Sequence, residues 1–270
     1  MGYPEELREH LTKYKEAFLG VSASGVYRHR GRDLHYGHIL PLEMAHLNLF
    51  EEARAASAGL PRHRYFHHLN SSQAFAFNLF LPFLTGGPRA GAALLTAMGS
   101  GATAGPVREW ALESIPDPLE GTNIDATWLD SAGVRTFCEV KLSEQDVGTA
   151  KDDARHREKL TRIYRPVLEG CVDDRLLEPA VFFGAYQFLR NVWHLVRVPG
   201  SRLVFLAPKA NTGLWQQIEG LIAGVNDRLR PRVWVRATEA VIGALGSEGS
   251  ECPPQLRDYA RYKLARKYLP

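Results

Sequence analysis

Three residues in this sequence, Asp125, Glu139 and Lys141, have side chains and spacing that can do chemistry. They fall in one segment, GTNIDATWLDSAGVRTFCEVKL, from Gly121 to Leu142. Its first half alternates Ile124, Ala126 and Trp128 with Asn123, Asp125 and Thr127. Its second half alternates Val134, Thr136, Cys138, Val140 and Leu142 with Arg135, Phe137, Glu139 and Lys141. That is the period of two β-strands. Ser131-Ala132-Gly133 suits a three-residue hairpin loop with Gly133 in the left-handed position. The loop pairs Asp130 with Val134, and therefore Asp125 directly with Glu139 and Asn123 with Lys141. Directly opposed side chains have Cβ atoms about 4.5–5.5 Å apart, where like charges are destabilising. A divalent cation or a shared proton offsets the repulsion. Such a cation lowers the pKa of a bound water and neutralises phosphate charge, the requirements of phosphodiester hydrolysis. Magnesium, with manganese as a substitute, needs only one or two protein carboxylates. Lys141 then orients the attacking water or stabilises transition-state charge. The competing reading is a set of ordinary charges on a solvated hairpin face, since Asp followed by Glu-x-Lys is common by chance.

The elements that must hold this hairpin are read from periodicity. Helices are expected at Glu5 to Phe18 and Leu42 to Ser57. The basic stretch Tyr27 to Arg32 between them is too broken by charge and glycine for a core element. A helix starts at Asn70-Ser71-Ser72 with Phe77 and Phe80 on one stripe, and Pro82 ends or kinks it. A Gly/Ala-rich passage, Gly86 to Gly105, holds a short helix, Ala90 to Met98, and is no nucleotide loop because it lacks a Gly-Lys-Ser/Thr ending. Strands follow at Val107 to Leu112, Thr122 to Leu129 and Val134 to Leu142, then helices at Ala150 to Leu168 and Pro179 to Val196. Leu203 to Ala207 is a short apolar run, as in a strand covered on both faces. A helix at Leu214 to Leu229, a strand at Arg232 to Arg236 and a basic helix at Leu256 to Tyr268 complete the chain. The order implies an α/β domain with a mixed sheet flanked by helices. Residues 70–270 are expected to form it, with residues 1–69 as a helical N-terminal extension packed on the core.

Asp125 and the run Glu139-Val140-Lys141, on the second and third strands of a helix, three-stranded meander, helix, strand, helix, strand order, resemble the PD-(D/E)XK or restriction-endonuclease-like nuclease superfamily. Ile124 stands where the proline of the name would be. NSSQAFAFNLF (Asn70 to Phe80) and AYQFLRN (Ala185 to Asn191) resemble a bacterial subgroup of restriction endonucleases. The resemblance implies that Asp125, Glu139 and the Val140 carbonyl bind Mg²⁺ and that Lys141 is the catalytic lysine. It also implies a role beside the active site for Gln187, on the helix after the Glu-x-Lys strand. It gives Gln73, at the start of the first helix of the core, an approach to the metal or its waters. For Gln73, helix capping or a backbone bond is an equal alternative.

The helix from Pro179 to Val196 is apolar nearly all round, yet Gln187, Arg190, Asn191 and His194 form a narrow polar stripe. A cleft would satisfy them, with Arg190 on phosphate; a solvent-facing stripe is the alternative. Glu109 and Glu113 are weaker candidates for an extra carboxylate. The ten histidines lack zinc spacing and read as surface or structural groups. A formal charge of +3 is too small to argue for a nucleic-acid partner by itself. Local clusters argue better: Arg28, Arg30 and Arg32; Arg62 and Arg64; Arg228, Arg230 and Arg232; and the last helix. Arg28 and Arg30 are taken as DNA contacts, with affinity drawn from phosphates; a solubilising face is the alternative for any single cluster. Three cysteines without metal spacing suit a reducing compartment, and neither a signal-peptide core nor a bilayer-length apolar run is present. The expectation is a cytoplasmic, Mg²⁺-dependent deoxyribonuclease with no membrane association. A homodimer fits a double-strand cut. A nuclease fold kept as a silent DNA-binding or assembly module is the rival, and a small-molecule phosphoesterase a weaker one.

Overall fold

The computed structural model describes residues 2–100 and 106–270, so part of the Gly/Ala-rich passage, 101–105, lies outside the described residues. The chain divides into two compact units, Met1–Val107 with Ala237–Pro270, and Arg108–Arg236. Residues 70–107 and the C-terminal helices therefore cluster with the N-terminal segment, and the boundary expected at 69/70 falls inside the first unit.

In the first unit the helix Tyr3–Leu19 precedes a hairpin of β1 (Gly25–His29) and β2 (Arg32–Tyr36). The basic stretch Tyr27 to Arg32, too broken for a core element, forms part of this largely exposed hairpin. Arg30 and Gly31 both take positive φ, 49° and 77°, as a two-residue turn between twisted strands requires. The helix Ser72–Thr85 is capped by Ser71, whose hydroxyl accepts from Ala74 N–H at 3.3 Å. Every residue from Ala74 to Phe83 is buried, so the apolar stripe of the sequence is really a whole surface. Pro82 neither ends this helix nor leaves a gap. It cannot donate to the Asn78 carbonyl one turn earlier, and the Tyr259 hydroxyl donates there instead, at 2.8 Å. Tyr259 belongs to the C-terminal helical run Pro254–Asp258, Tyr259–Leu264 and Ala265–Tyr268. Asn78 itself takes Phe50 N–H at 2.9 Å and gives its amide to the Asn48 carbonyl and Tyr268 hydroxyl.

The second unit is built on a five-stranded sheet in the order β3 (Arg108–Ser114), β4 (Ile124–Leu129), β5 (Arg135–Val140), β6 (Arg202–Ala207) and β7 (Val233–Ala237). Strands β3, β4 and β5 form an antiparallel meander, and β6 joins β5 in parallel. That parallel step demands a crossover, supplied by the helical run 154–168 and the helices Pro179–Gly184 and Tyr186–Arg197. The last of these docks on the sheet through Phe188, which stacks on Phe205 of β6 at 5.1 Å and 12°. Leu203 to Ala207 are buried throughout, as their unbroken apolar run predicts. The α/β class, the mixed sheet and the element order match the sequence reading. Among the described residues no helix is long and apolar enough to cross a membrane.

Tyr259→Phe removes the donor that replaces the missing Pro82 N–H, and a buried carbonyl left unsatisfied costs about 1–3 kcal/mol. In a Pro82→Ala background the new N–H can serve Asn78, so the Tyr259→Phe penalty should shrink. A double-mutant cycle by denaturant unfolding reads this coupling; strictly additive penalties would refute the substitution of one donor for the other.

Candidate active site

The hairpin loop takes the form its sequence implies. Gly133 has φ 80°, and Asp130 N–H donates to the Val134 carbonyl at 3.1 Å. The ladder pairs Thr127 with Phe137 and Ala126 with Cys138, which carries Asp125 across from Glu139. Beyond that last pair Asp125 itself serves the strand: its Oδ2 accepts from Val140 N–H at 2.7 Å. Lys141 N–H turns the other way, to the Leu206 carbonyl of β6, at 2.8 Å.

Glu139 is 3% exposed, and both of its oxygens are engaged. Oε1 accepts from Lys141 Nζ at 3.0 Å; Oε2 accepts from Asn191 Nδ2 at 2.8 Å and Arg190 Nη2 at 3.1 Å. Arg190 Nε in turn donates to Asn191 Oδ1 at 3.2 Å. Lys141 Nζ also donates to Gln187 Oε1 at 2.5 Å. Gln187 is placed by its own backbone, whose N–H donates to the Gly148 carbonyl at 3.1 Å. Gly148 has to be glycine: it sits at φ +95°, and a Cβ there would lie 2.0 Å from Gln187 Oε1.

These partners divide the two carboxylates. Burial pushes Glu139 up, but the Lys141 and Arg190 cations and the Asn191 amide outweigh it and hold Glu139 below the usual carboxylate range. Burial also pushes Asp125 up, the Glu139 charge adds to it, and Lys141 with the Val140 N–H compensates only partly, so Asp125 stays well above its ordinary value. For Lys141, burial disfavours the ammonium, yet Glu139, Glu144 and Asp125 override it and the pKa rises. The site is an ionised glutamate and a charged lysine beside an aspartate that resists ionisation.

A family model described as Restriction Endonuclease associating with ARP matches residues 8–269. The chain belongs to this restriction-endonuclease-like family. Curated proteins and solved structures gave no match. Membership points to a nuclease, and it spans both compact units of the chain.

Other residues of this family member stand apart from the reading of its sequence. Arg190, expected on phosphate or in solvent, is 6% exposed and committed to Glu139, because a buried anion needs a buried cation. Gln73, for which an approach to the metal and a backbone bond are equal readings, takes the second, accepting from His63 N–H at 2.7 Å and donating to the Pro61 carbonyl at 3.2 Å. Arg28 and Arg30 lie on the exposed hairpin of the first unit. The Arg228 to Arg232 cluster is partly structural: Arg232 donates to the Ser201, Leu195 and Val198 carbonyls, and Arg230 to those of Val225 and Ala223. In the last helix Lys267 is buried with its Nζ on Asn48, and Lys263 pairs with Glu52. Glu109 pairs with Arg135. Glu113 lies across from Asp125 in the β3–β4 register and accepts from Asn123 Nδ2 at 3.1 Å.

Glu120 escaped the sequence reading. It is fully buried; the Tyr164 and Thr122 hydroxyls donate to it, and His194 Nε2 lies 3.6 Å away. Burial pushes this carboxyl up, but His194, Thr122 and Tyr164 bring it down to about 2. The stripe Gln187, Arg190, Asn191 and His194 thus faces two buried carboxylates. Nothing around Glu120 in the sequence signals this, because Tyr164 and His194 are distant along the chain.

Two stability effects follow, both read in metal-free buffer. Asn at position 125 can still accept from Val140 N–H but carries no charge, so Asp125→Asn should be more stable than wild type at neutral pH. A relieved like-charge pair is worth up to about 1 kcal/mol, or about 2–4 °C in a chain this size. The raised pKa of Asp125 gives the sign: the unfolded aspartate loses its proton first, so wild-type stability falls as pH climbs from the ordinary carboxylate range to the folded value. The advantage of Asp125→Asn should widen over that window, and a variant equal to or weaker than wild type would contradict the strained pair. Glu120 has the opposite sign. Its stabilisation is present above about 4.5 and lost as pH falls towards about 2. Glu120→Gln should therefore lower stability by roughly 3 kcal/mol at neutral pH and flatten the acid limb of the unfolding curve.

Proposed function

We propose that this protein is a metal-dependent nuclease that hydrolyses phosphodiester bonds in DNA, using Mg²⁺ or Mn²⁺ held by Asp125, Glu139 and the Val140 carbonyl. The observation that carries the reading is the opposed Asp125–Glu139 pair with Lys141 hydrogen-bonded to both Glu139 and Gln187. The donor set fits a hard cation. It is all oxygen, and among the described residues no three His, Cys, Asp or Glu side chains converge. Two carboxylates and a carbonyl suit a cation that keeps several of its waters. The residual repulsion at Asp125 is what a positive charge between the carboxylates relieves.

When bound, the cation supplies an acidified water and neutralises charge on the phosphate. The protein side chains do the rest. Arg190 and Asn191 fix the Glu139 carboxylate so that it need not reorganise during reaction. Lys141 stays protonated at neutral pH, which makes it a donor to developing negative charge rather than a base. Gln187, locked against Gly148, aims the ammonium. The basic hairpin of the first unit, Arg28 and Arg30 included, contributes contacts to DNA phosphates.

Cleavage of plasmid and linear DNA in Mg²⁺ tests the reading. Lys141→Ala should lower the rate by about 10²–10³-fold, the usual loss for one preorganised donor. Arg190→Met should weaken metal binding, followed calorimetrically, by about 10–100-fold, because Arg190 orients a ligand. Wild-type protein inert towards DNA across metals, or a Lys141→Ala variant that cuts equally well, would sink the proposal. DNA binding without turnover would favour the silent binding module.

A further inference from the structure

We propose that the first compact unit carries a nucleobase pocket, which takes an unstacked base of single-stranded DNA while arginines beside it hold the flanking phosphate. Two histidine- and arginine-rich stretches far apart in sequence meet there. The ring of Tyr27 on β1 lies 5.4 Å from that of Tyr65 and 5.7 Å from that of His68. With Tyr36, His38 and Arg8 these rings line a cavity of about 500 Å³, a size typical of small-ligand sites. A second cavity of about 640 Å³ shares Tyr65 and is lined by Arg28, Arg64 and His67.

Four features favour a base as the occupant. The Tyr27–Tyr65 and Tyr27–His68 pairs meet edge to face, at 62° and 83°, so neither pair is stacked face on face, and the Arg64 guanidinium lies over the Tyr65 ring at 4.3 Å. Tyr36 is 40% exposed on a hairpin that also exposes Val26 and Leu34. The imidazoles inside are neutral at physiological pH: burial, with Arg8 and Lys15, brings His38 down to about 4, and burial with His67, His38 and His63 brings His68 down to about 3. A flat ligand with hydrogen-bonding edges suits such walls better than an anion does. Finally, His68 Nε2 and His67 Nδ1 are buried without a hydrogen-bond partner, and polar groups in that state call for one.

The phosphate side follows from charge. Residues 24–43 and 60–70 hold five arginines, Arg28, Arg30, Arg32, Arg62 and Arg64, against Asp33 and Glu43. The one ion pair among these, Arg28 with Asp33 at 3.4 Å, is exposed and easily exchanged for a phosphate. Aromatic faces next to a basic groove are the general means of holding a single strand. The other basic clusters are largely tied to carbonyls and carboxylates, whereas Arg62 lies on the Phe66 ring and Arg64 on the Tyr65 ring and its hydroxyl, contacts that do not neutralise their charge. The proposal rests on DNA being the substrate and adds how the strand is held.

The test is fluorescence anisotropy in EDTA, so that binding is read without cleavage, using a labelled single-stranded oligonucleotide, its blunt duplex and an abasic oligonucleotide of equal length. The single strand should bind more tightly than both other probes, and Tyr65→Ala should weaken it about tenfold, the order expected for one lost stacking partner. Tyr36→Ala, at an exposed position that cannot disturb the core, should weaken it in the same direction. Arg28→Ala should weaken the single-stranded and abasic probes alike. Equal affinity for the abasic and normal strands, or unchanged binding by both tyrosine variants, would overturn the pocket. Loss of cleavage with intact single-strand preference would instead count against the nuclease reading alone.

Discussion

A carboxylate buried at position 139 cannot stand alone, because an unpaired anion in the interior costs several kcal/mol. The geometry around the site is the solution to that constraint. Lys141 reaches Glu139 along the same strand, while Arg190 and Asn191 reach it from the helix Tyr186–Arg197. The charge therefore couples sheet and helix: the site exists only when the β5–β6 crossover has delivered the helix to the sheet. The Phe188–Phe205 stack and the bond from Gln187 N–H to Gly148 fix its position along the strand. Asp125 has no such retinue. Its supports are the charge of Lys141 and one backbone N–H, and the asymmetry between the two acids comes from this difference in partners.

The hairpin was legible because its information is local. A period of two on each side of a three-residue loop determines which residues are opposed, and no distant contact is needed to say that Asp125 meets Glu139. The helix Tyr186–Arg197 was legible only as a pattern. Its polar stripe could be read from spacing, but spacing cannot say whether a stripe faces water, phosphate or a buried acid. The apolar remainder of that helix was the better clue, since polar residues on an otherwise buried element must themselves find buried partners. Glu120 was illegible for the reciprocal reason: its partners, Tyr164 and His194, lie on two different later helices. Gln73 illustrates a third ambiguity. The helix Ser72–Thr85 is buried on all sides, so no stripe could define its inward face.

Positive charge shows the same ambiguity. Arg230 and Arg232 end on backbone carbonyls left over by helix and loop ends, where a cation is favoured. Lys267 and Lys15 are buried ammonium groups that tie segments of the first unit together through the Asn48 and Ala23 carbonyls. Burial lowers both of their pKa values, and that of Lys267 falls well below its ordinary value. Each of these residues would count as a DNA contact in a tally of basic clusters, yet each is already spent on structure. A basic residue becomes evidence for a polyanion only after its internal partners are known, which is why Arg28 and Arg64 carry more weight than the C-terminal helix.

The strain at Asp125 and the cation proposed to relieve it have a common origin. A strand pair that placed a serine or asparagine at position 125 would fold with less repulsion and would offer a hard cation one anionic ligand fewer. Conversely, donors as generous as those around Glu139 would stabilise an ionised Asp125 and remove the repulsion that a cation relieves. Leaving one acid paired and the other under-compensated lies between these extremes: Glu139 is preorganised, and Asp125 resists ionisation until a cation offsets its charge. Gln187 and Gly148 extend the same logic to Lys141, holding its ammonium beside Glu139 so that the one flexible side chain of the set does not have to be ordered when substrate arrives.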